Sequence, residues 1–157
     1  MESQAKALII ARQIRVIGLQ HEKDRTSLKD SELEFLKSQD VARLATADRQ
    51  GAPQVTPVVF AMDGNNFVIA TDYKTKKLKN LRQNPKASLV VDTYNPNRGV
   101  VVEGECEISE RGEEYRRLLQ VLFNRFDFYR NNPWGEGESP ILKIVPNKVA
   151  SWGLKQP

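Results

Sequence analysis

The chain has 157 residues, 39% hydrophobic and 28% charged, with a formal net charge of +4, the proportions of one globular domain spanning 1–157. One cysteine, Cys106, excludes an intrachain disulfide, and one histidine, His21, leaves no metal cluster. Apolar runs of only a few residues predict no membrane span and no signal peptide, hence a cytoplasmic protein, and the intermingled charges argue against a nucleic-acid binder.

Residues 1–25 read as an N-terminal helix and a connector. Leu8, Ile9, Ile14 and Ile17 make a rough helical stripe over 5–20, expected to dock on this domain or on a second copy, and 21–25 are polar. The remaining 26–157 hold the main fold. Ser31 and Glu34 have capping-box spacing ahead of Phe35 and Leu36, predicting a helix to about Ser38. Strand patterns then cover Val41–Ala47, Pro53–Met62 and Phe67–Thr71, separated by turn signals at 48–51 and 63–66. A short helix follows, which Pro85 ends. Ala87–Thr93 and Gly99–Ile108 are two further strands. Ser109 is placed to cap a long amphipathic helix carrying Tyr115, Leu118, Leu119, Leu122, Phe126 and Tyr129 on one face, ended by Asn131-Asn132-Pro133. Ile141–Val145 and Lys148–Trp152 close the chain as strand-like runs. Short turns between six or seven strands predict a mainly β (α+β) fold, a small antiparallel barrel with helices at its edges. Pro57 inside a strand marks an edge or an opening.

The most informative stretch is Thr71–Leu81. An apolar strand, Phe67–Ala70, runs into a helical pattern whose N-cap position falls on Thr75, with the Thr75 hydroxyl expected to accept from first-turn N–H groups. Lys74, Lys76 and Lys77 crowd the positive end of the helix dipole, at a cost of roughly 0.3–1 kcal/mol per cation. Two readings stand. The lysines are a solvated face, or they and the open N–H groups form a cradle for an anion such as a phosphate.

Several segments together resemble one family. They are Leu44-Ala45-Thr46-Ala47-Asp48, Gly51-Ala52-Pro53-Gln54, Ala70-Thr71-Asp72, Thr75-Lys76-Lys77, Asn80-Leu81, Asn84-Pro85, Val102-Glu103-Gly104 and Val149-Ala150-Ser151-Trp152. Their order and spacing resemble the flavin-binding split barrels related to pyridoxamine 5′-phosphate oxidase. The resemblance implies a homodimer of six-stranded antiparallel Greek-key split β-barrels with FMN in each of two grooves between subunits. By the same resemblance Thr75, Lys76 and Lys77, with Lys74 beside them, would take the phosphate. Thr71 and Asp72 would lie along the ribityl chain, and Val55, Thr56, Pro57 and Val58 would face the isoalloxazine ring. Trp152 would approach that ring from the other subunit or else pack as an ordinary core residue. The oxidase itself carries an arginine and a lysine where Val55 and Phe60 stand here, and its terminal arginine and histidine have no counterpart in 153–157. Pyridoxamine phosphate oxidation is therefore not expected.

No catalytic residue is assigned from the pattern. Cys106, between Glu105 and Glu107 on a strand, reads as a packing residue. A bound flavin carries the electron transfer, so the expected activity is hydride exchange with a small acceptor. The alternatives are a reductase of the same fold using the deazaflavin coenzyme F420, a flavin carrier or sensor without turnover, and a nucleic-acid binder using Lys74–Lys79 and Arg82.

Overall fold

The computed structural model describes residues 25–155, so the expected N-terminal stripe and most of the connector lie outside the described residues. Among the described residues four helices, α1 (Asp30–Lys37), α2 (Lys76–Gln83), α3 (Gly112–Arg125) and α4 (Asp127–Asn131), accompany seven strands. The strands are β1 (Val41–Ala47), β2 (Pro53–Val59), β3 (Ala61–Asp63), β4 (Asn66–Ala70), β5 (Lys86–Thr93), β6 (Arg98–Ser109) and β7 (Ile141–Trp152). They form one antiparallel sheet in the order β2-β1-β5-β6-β7-β4-β3, curled into a half-barrel.

The count is seven where the resemblance implies six, because the expected strand Pro53–Met62 breaks at Phe60. Before that residue the chain pairs with β1, and after it with β4, so the two edge strands of the sheet are neighbours in sequence. Phe60 is the corner. Its N–H donates to the Asp40 carbonyl at 3.1 Å, the last bond in the β1–β2 register, and its ring packs inside against Phe67, 5.4 Å between centroids. Pro57 lies on β2, which is an edge strand paired only with β1. In the other direction, two expected runs merge. β7 continues unbroken from Ile141 to Trp152, and Pro146 is absorbed opposite Gly104 at a register shift. A Cβ on Gly104 would sit 2.3 Å from the Val145 carbonyl oxygen, so only glycine lets the strands approach there.

Three helix boundaries differ from expectation. The box at the start of α1 is built by Glu32, not by Ser31 and Glu34: its carboxylate accepts from the Lys29 N–H at 2.7 Å. The long helix starts at Gly112 rather than after Ser109, and it stops at Arg125 before a short α4. Of the expected apolar face, Tyr115, Leu118, Leu122 and Phe126 are buried, and Leu119 and Tyr129 pack partly buried against the same cluster.

Two apolar clusters hold the fold. One fills the inside of the curled sheet with Leu44, Phe67, Ile69, Leu89, Val102 and Leu142, closed off by Leu36 of α1 and by Leu78 and Leu81 of α2. The other lies outside β3, β4 and the start of β7, where α3 covers Ala61, Val68 and Ile141. The outward face of the other strands keeps an exposed or half-exposed row across the sheet, Pro57, Arg43, Val90, Val101 and Ala150 in successive pairings. Val55, 62% exposed, adjoins it. Alternation of side chains along each strand puts the core residues on the opposite side.

Candidate cofactor site

β4 delivers Thr71 to the mouth of the half-barrel, where its N–H donates to the Pro140 carbonyl at 3.0 Å and its carbonyl accepts from the Ser139 hydroxyl at 2.7 Å. The chain turns at Asp72 and enters α2 with Thr75 at the cap position in an extended conformation (φ −76°, ψ 144°). The Thr75 hydroxyl is used differently from the expectation. It donates backwards to the Asp72 carbonyl at 2.9 Å and lies 3.0 Å from the Thr71 hydroxyl. Among the described residues, the backbone N–H groups of Lys76, Lys77 and Leu78 consequently have no protein acceptor.

The lysines separate. Lys74 and Lys76 are exposed, and both line a cleft of about 550 Å³ with Tyr73. Lys77 is half-buried against the domain and has no ion-pair partner among the described residues. Burial holds its ammonium below the usual lysine value, opposed by the attraction of Asp72. A half-buried cation beside three open N–H donors is a poor arrangement for an empty protein and a good one for a bound anion.

Across the mouth, β2 approaches β4 without a ladder between them. On the inward side of β2, Gln54 Oε1 and Thr56 Oγ1 are buried and have no hydrogen-bond partner among the described residues. Val55 and Pro57 face outward and are exposed, whereas the Val58 side chain belongs to the core and leaves only its backbone to border the opening. Lys77 and the open N–H groups fit the anionic end of a guest such as a flavin phosphate, whereas the orphaned Gln54 and Thr56 oxygens fit hydrogen-bond donors elsewhere on it. No basic side chain comes from β2, since Val55 is apolar and Phe60 is 1% exposed in the core.

Trp152 lies elsewhere. It ends β7, whose other end, Ile141, pairs with Ala70 beside the cradle, so the two are about 35 Å apart along the strand at about 3.3 Å per residue. Its indole N–H donates to Asn97 Oδ1 at 2.9 Å, and its ring covers Gly99, where a Cβ would sit 2.4 Å from the ring. It points to the same outward face as Pro57, four strands away, about 20 Å at about 4.8 Å per strand. One chain therefore does not bring Trp152 to its own Thr71–Lys77 segment. Asn97 and Gly99 carry no individual signal in the sequence, because their role depends on a pairing across β6 and β7.

Cys106 is buried with its thiol pushed up to about 12 by burial and by Glu107, which suits packing and not nucleophilic chemistry. Among the described residues there is no cluster of metal-ligating side chains, and no helix is long and apolar enough to cross a membrane.

Comparison with known proteins agrees with this architecture. Over 108 residues, 68% of this chain, the sequence is 39% identical to the pyridoxine/pyridoxamine 5′-phosphate oxidase of Salinispora arenicola, of which it spans only 46%. It is 26% identical to the 5a,11a-dehydrotetracycline/5a,11a-dehydrooxytetracycline reductase of Streptomyces rimosus, covering 79% of this chain and 82% of the reductase. The fold superposes on the heme storage protein HutZ of Vibrio cholerae with a TM-score of 0.71 at 18% identity, over 82% of this chain and 96% of that one. A likeness at that identity speaks for the fold and not for the ligand. The model of the family described as pyridoxamine 5′-phosphate oxidase matches residues 28–153, from before α1 through the end of β7, and the chain belongs to that family.

Proposed function

We propose that the protein binds FMN between two copies of the chain and exchanges hydride with a small acceptor. The observation that carries the reading is Lys77: a half-buried ammonium without an ion-pair partner among the described residues, next to the open N–H groups of α2. A flavin phosphate there would satisfy both, and the orphaned Gln54 and Thr56 oxygens would border the remainder of the ligand. When bound, the flavin supplies the redox chemistry. The chain's own part is to hold the phosphate through Lys77, Lys76 and the N–H groups, to line the ribityl path with Thr71 and Asp72, and to present the exposed edge of β2. The uncovered row on the outward face supports a homodimer, because it offers apolar area that no helix of the described residues covers. It also carries Trp152, which only a second copy could bring to the ring. The absence of a cation at Val55 and of an exposed one at Phe60 supports a substrate other than pyridoxamine phosphate.

The test is titration of the purified chain with FMN, read by quenching of flavin fluorescence, together with its mass in solution. Stoichiometric binding by a dimer and catalysed oxidation of NAD(P)H with an acceptor are expected. Binding of F420 in place of FMN would move the protein to the deazaflavin reductases of this fold. Flavin binding without turnover would make it a carrier, and binding of neither coenzyme would overturn the reading.

A further inference from the structure

Several basic side chains have no ion-pair partner among the described residues, Lys86 and Lys148 included, but two of them share one cleft. Arg82 pairs with Glu110, Arg117 with Asp63 and Lys143 with Glu107, whereas Arg49 and Lys79 have no ion-pair partner among the described residues. These two meet in a cleft of about 490 Å³ between the β1–β2 turn and α2, together with Lys76, Gln50, Gln83 and Asp48. The volume falls within the about 300–1,000 Å³ of small-molecule sites. The single acid is committed to the turn, where Asp48 Oδ1 accepts from the N–H groups of Gln50 and Ala52, both at 2.9 Å. Three cations and three amide side chains, those of Gln50, Asn80 and Gln83, thus line a groove with one carboxylate.

Helical geometry turns this groove away from Lys77, and Lys76, which the flavin-phosphate reading also uses, stands at the border of the two. Lys76 and Lys79, three residues apart, share a ridge, and Lys77 is about 100° further round the helix. The same ridge borders the adjoining cleft, where the Tyr73 ring is 40% exposed. Cations along a ridge with an aromatic ring beyond them match phosphates joined to a base.

We infer that the cleft between the β1–β2 turn and α2 is a second anion subsite that takes the phosphates of a nucleoside diphosphate. Its ligand is the adenosine diphosphate part of a nicotinamide donor or of a dinucleotide flavin, both of which present the same chemistry to Arg49, Lys76 and Lys79. The inference rests on the flavin reading for the choice of ligand class and not for the groove itself.

The probe is ADP, titrated by calorimetry into the full chain, empty and FMN-loaded. Lys79→Ala and Arg49→Ala are the variants, since neither residue belongs to the flavin-phosphate reading, and circular dichroism checks that each folds. ADP binding is expected, weakened about tenfold by each variant, the loss of one charge-assisted contact, while FMN affinity is unchanged. Competition of ADP by NADPH would identify the donor as the source, and displacement of FMN and ADP together by FAD would identify the dinucleotide. ADP that does not bind the empty or loaded chain at low salt, or binds both variants as tightly as the parent, would overturn the inference. So would a single-stranded oligonucleotide that binds more tightly than ADP with a steep salt dependence. Should FMN fail to bind while ADP does, the flavin reading falls and the groove stands.

Discussion

The hydroxyls of Thr71 and Thr75 lie 3.0 Å apart, one at the end of β4 and the other at the start of α2. Thr75 spends its proton on the Asp72 carbonyl, so Thr71 must be the donor of the pair. The contact clamps the strand-to-helix turn and leaves the first-turn N–H groups open. Thr75→Val keeps the shape and removes both bonds. Thermal unfolding should show a loss of about 1–2 kcal/mol, with FMN affinity lowered, and Thr75→Ser should restore both. A valine variant with parental affinity would remove the turn from the binding argument.

Lys77 gives a test in which stability and binding move in opposite directions. Lys77→Ala removes a half-buried cation at the positive helix end, so the empty protein should be unchanged or up to about 1 kcal/mol more stable. FMN binding should weaken about 10–100-fold, as for a charged hydrogen bond. The pH dependence follows from the lowered value of Lys77. Above its folded value the unfolded chain binds the extra proton, so this residue makes stability rise with pH between that value and the ordinary lysine range. Affinity for the anion should fall over the same window, because the ammonium is being lost. Clear destabilisation by Lys77→Ala would make the lysine a structural partner instead.

Glu32 is fully buried and carries a different kind of load. Arg25 reaches it with two nitrogens at 2.6 and 2.8 Å, the Ser151 hydroxyl donates at 2.6 Å, and the Lys29 N–H at 2.7 Å. Burial pushes the carboxyl up, but the bonds from Arg25, Ser151 and Lys29 outweigh it and its value is lowered. Its stabilising contribution is present above the ordinary glutamate range and is lost as pH falls toward the lowered value. Glu32→Ala should cost about 3–5 kcal/mol in denaturant melts at neutral pH, the range for a broken buried pair. The difference from the parent should narrow on acidification, and a constant difference down to strongly acid pH would contradict the assignment.

Gly99 is the seat of Trp152. A methyl group there would lie 2.4 and 2.5 Å from indole carbons and 2.9 Å from the Val91 carbonyl oxygen, so Gly99→Ala must displace the ring. Overpacking of this kind costs about 1–3 kcal/mol. In a Trp134→Phe background, the remaining tryptophan emission should shift to the red as the indole leaves its place and its bond to Asn97. An unshifted spectrum would show that the ring was not held there.

The sequence by itself determined the local parts. β1 ran from Val41 to Ala47 as its alternation required, α2 stopped where Pro85 forbids helix, and the buried face of α3 followed from a 3.6-residue period. Thr75 was legible as a cap position because such signals lie within a few residues. Long-range pairing was not legible. That Phe60 would turn one strand into the two edges of a sheet, that β7 would pass Pro146 unbroken, and that Trp152 would end far from Thr71 all depend on pairings that reach up to 53 positions along the chain. The division among the lysines was likewise a tertiary outcome. Four similar side chains in one short segment met different surroundings, and only packing against the domain could half-bury Lys77 while leaving Lys74, Lys76 and Lys79 in water. Local propensity acts through neighbours in sequence, whereas burial and electrostatic partnership are set by neighbours in space.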